Sequence, residues 1–67
     1  MIQVIVNGEA HRLDQSLDIS SLLKKLELTG KKIAVERNGE IVPRGLHPKT
    51  LVENGDRLEI VVAVGGG

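Results

Sequence analysis

The chain of 67 residues contains no cysteine, phenylalanine, tyrosine or tryptophan. The lack of cysteine excludes disulfides, thiolate catalysis and thiolate metal ligands. Stacking of phenylalanine, tyrosine or tryptophan on bases or sugars is also excluded, and the core must be aliphatic. The two histidines, His11 and His47, are far apart and have no acidic pair at ligand spacing. We therefore expect no metal site.

Excess charge and long apolar runs are also missing. Nine basic and nine acidic residues cancel, so no long-range attraction to nucleic acid or anionic lipid is expected. The longest apolar run, 60–64, is far too short to span a membrane. The first residues have the pattern of a strand instead of a basic and apolar leader. These features favour a cytoplasmic protein that binds neither nucleic acid nor membrane.

Enzyme motifs are absent from the sequence as well. No glycine-rich phosphate loop of either common spacing occurs, so we expect no bound cofactor and assign any use of ATP to a partner. The serines at 16–21 are explained by capping and solvation of a helix. A chain this short leaves little room for an enclosed catalytic pocket, which favours a carrier or binding module. Three carboxylates are expected on solvated faces and not as an acid–base pair: Glu36, Glu40 and Glu59.

Two Asn-Gly pairs are the strongest local signals in the chain. Asn7-Gly8 and Asn38-Gly39 each lie between strand-like runs, and a type I′ turn needs positive φ at both central residues. They predict two hairpins. A further turn at 54–56 precedes a last apolar run, and the segment 44–52 is typical of a structured loop or a short 3₁₀ helix. The predicted strands are 2–6, 9–13, 32–37, 40–42 and 57–64.

One helix is predicted from Ile19 to Leu28, with Asp18 as its N-cap. Gly30 suits the position just beyond its C-terminal end. One helix can cover only one face of a sheet, so we expect a two-layer α+β domain with a mixed sheet of four to five strands. The apolar stripe of the helix is Ile19, Leu22, Leu23 and Leu26. Four lysines complement the negative end of the helix dipole or, alternatively, meet an acidic patch of a partner: Lys24, Lys25, Lys31 and Lys32.

The chain closes on three glycines, Gly65, Gly66 and Gly67. Without Cβ atoms such a tail can lie in a groove too narrow for other residues. It leaves the terminal carboxylate of Gly67 open to approach and makes that carboxylate a candidate reactive group. A flexible end or a leftover linker is the alternative interpretation of the same glycines.

The element order, hairpin, helix, hairpin, loop and last strand before a glycine tail, resembles the β-grasp fold of ubiquitin and the small sulfur carriers. Within that fold the sequence is most similar to the ThiS family of sulfur carriers in thiamin biosynthesis. The resemblance covers the whole chain and is strongest where the glycine end is combined with this topology. Its segments are 2–4 with the turn at 7–8, the short helix, 41–44, 54–56 and the last two glycines.

The resemblance implies a β-grasp domain over 1–64 and a flexible tail over 65–67. It further implies that an E1-like adenylyltransferase uses ATP and Mg²⁺ to adenylate the carboxylate of Gly67. A protein persulfide would then supply sulfur, and a thiazole synthase would use the resulting thiocarboxylate. The chain would be a protein co-substrate and not an enzyme. Open alternatives are the small subunit of molybdopterin synthase, a ubiquitin-like protein modifier, and a plain binding module.

Strand alternation indicates which apolar residues remain outside the core. Alternate residues of a strand face opposite sides, so the even positions of 2–6 and 58–62 meet the helix stripe. Ile5, Val61 and Ala63 are left on the other face, with Val64 next to the tail. Grouped near the reactive end, they predict a docking patch for partner enzymes. Singly exposed strand formers are the alternative.

Overall fold

The computed structural model describes residues 1–28 and 32–63. Both Asn-Gly hairpins are confirmed, with φ of 49° at Asn7 and 52° at Asn38, and with the glycine that follows each also at positive φ. The segment after Pro43 is the expected 3₁₀ helix. The elements are β1 Ile2–Val6, β2 Glu9–Leu13, α1 Ile19–Lys25, β3 Lys32–Arg37, β4 Glu40–Val42, a 3₁₀ helix Arg44–Lys49 and β5 Arg57–Ala63.

The five strands form one mixed sheet in the order β2-β1-β5-β3-β4. Strand β5 lies at its centre, parallel to β1 and antiparallel to β3. A mixed sheet of four to five strands was predicted, and the sheet has five strands in the described part of the molecule. Strand β2, whose sequence is mostly polar, lies at an edge of the sheet. Strand β5 is last in sequence, yet it lies between β1 and β3 in the sheet.

Helix α1 packs on one face of this sheet and encloses an aliphatic core. Leu22 of the helix, Val4 of β1 and Val35 of β3 are 0% exposed. Val52, which follows the 3₁₀ helix, is also fully buried there. The core prediction is confirmed in its centre, whereas three of its outer members are only partly buried: Ile2, Leu26 and Val62.

The beginning of α1 was predicted correctly, but its end was not. The carboxylate of Asp18 accepts hydrogen bonds from the backbone N–H of Ser21 at 3.0 Å and from its hydroxyl at 2.7 Å. The helix ends at Lys25 instead of Leu28, and Glu27 has the left-handed φ of 61°. Glu27, not Gly30, therefore occupies the position beyond the C-cap; Gly30 itself lies outside the described residues.

Two hydrogen bonds explain this early end. The N–H of Leu28 donates to the carbonyl of Leu23, and the N–H of Glu27 donates to that of Lys24, both at 2.9 Å. This is the pattern of a Schellman motif. It turns Leu28 back against the core, where it is partly buried. Packing of this leucine therefore selects the end of the helix, at the expense of a strained backbone at Glu27.

His47 lies in the segment between β4 and β5. It lies within the 3₁₀ helix and is buried, 5% exposed. Its Nε2 lies 3.0 Å from the carbonyl oxygen of Val42, which is a hydrogen bond when Nε2 carries the proton. The ring therefore joins the 3₁₀ helix to strand β4.

Candidate docking face and reactive terminus

The sheet face opposite α1 carries apolar side chains, and no described element packs over it. We call this surface the open face. Register places Ala34 of β3 directly beside Val61 of β5, and Ile5 of β1 beside Arg57. Ile41 of the edge strand β4 lies beside Glu36. The open face includes Ile5, Lys32, Ala34, Glu36, Ile41, Arg57, Glu59 and Val61, and it continues through Ala10 and Arg12 to the β2 edge.

Two of the predicted docking residues, Ile5 and Val61, lie on this face but not side by side, because Ile5 is beside Arg57, four positions before Val61 along β5 and away from the tail. Val61 is 62% exposed, and Ile5 is half-buried beside the start of the same strand. Between Val61 and Ala34 lies a shallow depression of about 200 Å³, bordered by Lys32 and Ile33. The side chain of Ala63 and all atoms of Val64 and of the three terminal glycines lie outside the described residues, so their part of the predicted site stays a prediction.

Three apolar members of the open face were not predicted from the sequence, and they belong to β2, β3 and β4: Ala10, Ala34 and Ile41. Ile41 is 65% exposed. Alternation within β3 separates Ala34 from the buried Val35 and could have shown that Ala34 faces away from the core. That it stands beside Val61 follows only from the pairing of β3 with β5.

Asn7 extends the attachment of β5 beyond the end of β1. Its side-chain oxygen accepts from the N–H of Ile60 at 2.7 Å, and its amide nitrogen donates to the carbonyl of Ile60 at 3.0 Å. The N–H of Asn7 also donates to the carbonyl of Leu58 at 2.9 Å. The asparagine thus pairs with β5 as a further strand residue would. It holds in register the strand that leads toward the glycine tail.

A buried carboxylate fixes the beginning of β5. Asp56 is 6% exposed. It accepts from Nε of Arg37 at 2.8 Å, from the backbone N–H of Glu53 at 2.8 Å and from the side chain of Asn38 at 3.1 Å. Burial raises the pKa of Asp56, but these hydrogen bonds together outweigh it and hold the pKa below its usual value. The carboxylate therefore stays ionised and keeps the turn before β5 in place.

The described residues offer an exposed surface suited to recognition. Within 1–28 and 32–63, no three histidine, cysteine or acidic residues come close enough to hold a metal ion. No helix in that part of the chain is long and apolar enough to cross a membrane. Chemically, this arrangement presents a central strand beside an exposed, partly apolar face. Four residues follow Ala63 in the sequence, and a fully extended stretch of that length reaches at most about 14 Å.

Comparison with known proteins connects this arrangement to one family. The model of the ThiS family matches residues 4–67, a range that includes the three glycines. The crystal structure of the thiamine biosynthesis protein ThiS from Geobacter metallireducens superposes with a TM-score of 0.84 at 33% identity. It covers 98% of this chain and 100% of that one.

Some relatives are about as long as this chain, whereas others are several times longer. The "Uncharacterized protein ycf40" of Porphyra purpurea is 33% identical over 98% of this chain and 93% of its own length. The "Thiazole synthase" of Paramagnetospirillum magneticum is 41% identical over 98% of this chain, and that of Magnetococcus marinus is 33% identical. This chain spans 20% of the length of each thiazole synthase.

Proposed function

Because the chain belongs to the ThiS family, we propose that it is a sulfur carrier of thiamin biosynthesis whose C-terminal carboxylate becomes a thiocarboxylate. One observation carries this proposal: the family match extends through Gly67, on a fold that superposes on a thiamine biosynthesis protein with a TM-score of 0.84. The chain itself is a co-substrate. Its fold supplies a docking face and a tail, and partner enzymes supply the chemistry.

The proposed activation has three chemical steps. An E1-like adenylyltransferase uses ATP and Mg²⁺: an oxygen of the Gly67 carboxylate attacks the α-phosphorus, and pyrophosphate leaves. A terminal persulfide sulfur on a donor protein then attacks the acyl carbon, and AMP leaves. A thiol cleaves the resulting S–S bond, which gives the thiocarboxylate and a disulfide. Adenylation is needed because a carboxylate at neutral pH has no adequate leaving group.

A thiazole synthase is the proposed acceptor of the sulfur. The support is that two proteins named thiazole synthase contain a segment similar to nearly all of this chain. Such a shared polypeptide keeps a carrier and its acceptor at high effective concentration. A carrier that is not joined to its acceptor must bind the acceptor from solution through its surface. We assign this binding to the open face.

The mass of the intact protein tests the sulfur chemistry. We expect the full chain, incubated with ATP, cysteine and a lysate of its host, to gain the mass difference between one sulfur and one oxygen. A copy lacking Gly67 and a copy extended by one alanine beyond Gly67 should gain nothing, because neither offers the native terminal carboxylate. Whole-protein adducts would indicate a modifier instead. An unchanged full chain in a lysate active on another carrier would contradict the proposal.

The open face is tested by adding a charge to its apolar part. We expect Val61→Lys to reduce the initial rate of thiocarboxylate formation or transfer about tenfold or more, because an apolar contact is replaced by a buried charge. Leu51→Lys is the matched control. Leu51 is similarly exposed, 57% against 62%, but it bridges to Asp18 at the start of the helix. Equal rates for the two variants would exclude the open face as the docking surface.

A further inference from the structure

Glu36 and Glu59 form a like-charged pair at the centre of the open face. They are directly opposite each other in the antiparallel pairing of β3 with β5. Side chains in such positions have Cβ atoms about 4.5–5.5 Å apart, and like charges there destabilise a sheet. Both were expected on solvated faces. Their position side by side emerges only from the strand register.

The described cations do not neutralise this pair. Among residues 1–28 and 32–63, the ion pairs within 4 Å are both made by Arg37, whose partners are Glu53 and Asp56. Arg57 shares the open face, but it stands two positions before Glu59 along β5, beside Ile5. Neither Glu36, which is partly buried, nor the exposed Glu59 makes an ion pair within 4 Å among the described residues.

The surroundings of the pair are suited to an incoming cationic side chain. Ile41 lies beside Glu36 in the same row across the sheet and is 65% exposed. Val61, in the next row, is 62% exposed. The aliphatic stem of an arginine or lysine can cover such apolar groups while its charged end reaches the carboxylates. Arginine is favoured because its planar group can bind two carboxylates at once.

We propose that Glu36 and Glu59 together recognise a cationic side chain of the thiazole synthase that docks on the open face. This inference rests on the proposed sulfur-carrier function and deepens it. The occupant is chosen because two thiazole synthases contain a relative of this chain within one polypeptide. A repulsion that costs stability in the free chain becomes an attraction in the complex, which gives specificity toward a basic partner.

The test compares binding with stability. Glu59→Gln and the double variant Glu36→Gln, Glu59→Gln keep the side-chain shape and remove charge. We expect the double variant to bind the thiazole synthase about tenfold or more weakly. Its dependence of affinity on salt should be reduced, because the attraction is ionic. Its Tm should rise by about 1–4 °C because the repulsion is relieved. Titration calorimetry and thermal unfolding measure these changes.

The matched control is Glu9→Gln. Glu9 is an exposed acid of β2 that pairs with Val6 and so lies on the opposite side of the sheet. It removes one charge, as Glu59→Gln does, and should leave affinity for the synthase unchanged. A purely structural role of the pair would raise Tm without changing affinity, and that result would overturn the inference. Equal weakening by Glu9→Gln would overturn it too, because only net charge would matter.

The mass measurement separates this inference from the function on which it rests. The double variant should still gain sulfur, because adenylation occurs at Gly67. If it failed to gain sulfur but bound the synthase normally, the pair would serve the activating enzyme, and the assigned occupant would be wrong. If the unaltered chain bound the synthase through the pair but never gained sulfur, the carrier function would fail and the docking result would stand.

Discussion

Asn7 and Asn38 each combine a left-handed backbone with a side chain that binds the central strand. Their φ values are 49° and 52°. Asn7 holds both backbone groups of Ile60. Asn38 accepts from the N–H of Arg57 at 2.9 Å and donates to Asp56. Glycine would satisfy the backbone geometry of these turns. Asparagine in addition attaches each hairpin to β5.

A substitution at Asn7 separates these two contributions. Asn7→Gly retains the positive φ and removes both hydrogen bonds to Ile60. We expect the free energy of unfolding to fall by about 1–3 kcal/mol, since each bond contributes about 0.5–1.5 kcal/mol. Urea denaturation measures this change, and the amide of Ile60 should also lose protection from hydrogen exchange.

The control for this change is Glu9→Gly in the exposed part of β2. It reports the cost of an added glycine alone, about 0.5–1 kcal/mol. If the two variants lose the same stability, the side chain of Asn7 contributes nothing beyond what a glycine supplies. Retained exchange protection at Ile60 would lead to the same conclusion.

At the scale of elements, the end of α1 contains a strained residue that can be relieved. Glu27 has φ of 61°, a conformation that costs an L-residue about 1–2 kcal/mol and glycine little. Glu27→Gly should therefore raise the free energy of unfolding by about 0.5–1 kcal/mol, after the greater entropy of glycine in the unfolded chain is subtracted. Chemical denaturation of both proteins measures the difference.

Lys25→Gly is the matched control, two residues earlier and within the helix. It should lower the free energy of unfolding by about 1 kcal/mol, the ordinary cost of glycine in a helix. Opposite signs for two neighbouring glycine substitutions would be the signature of the left-handed position. Destabilisation by both would mean that Glu27 is not strained in solution.

Elements whose determinants are local in sequence could be predicted. Both Asn-Gly turns and the Asp18 cap, which binds Ser21 three residues away, depend on adjacent residues. The helix end could not be predicted, because Gly30 is the better local signal. The helix ends before Glu27 because Leu28 packs against the core.

The candidate site follows the same division. Ile5 and Val61 could be assigned to an uncovered face from alternation alone. Ala34, Ile41 and the opposed glutamates depend on which strands are neighbours. That in turn depends on contacts distant in sequence, such as the bonds between Asn7 and Ile60, 53 positions apart. No local pattern specifies such a pair.

At the scale of the whole molecule, stability should fall in acid. The pKa of Asp56 is lowered in the folded chain, as is that of Asp18, where hydrogen bonds from Ser21 are the main cause. The unfolded chain therefore binds protons more readily. The stabilisation is present above about pH 4, near the unfolded pKa, and is lost as pH falls through the lower folded values.

Asp56→Asn should flatten this acid dependence. At pH 7 the variant should also be less stable by about 1.5–3 kcal/mol, because hydrogen bonds to a charged group are lost. Denaturant unfolding from pH 7 to pH 2 measures both effects. Asp14→Asn, at an exposed position before the helix, should retain the acid dependence of the unaltered chain. An equally steep dependence in Asp56→Asn would contradict the assignment to Asp56.

The parallel pairing of β1 with β5 has a mechanical consequence. Parallel neighbours place the N-terminal end of one strand and the C-terminal end of the other at opposite ends of the sheet. A force that pulls the glycine tail away from the first residues therefore acts along the strands. It loads the hydrogen bonds Ile5 to Asp56, Asn7 to Leu58 and Asn7 to Ile60 together in shear. The bonds must break together instead of one after another, so the pairing of β1 with β5 should resist a pull along β5 better than a pull across it.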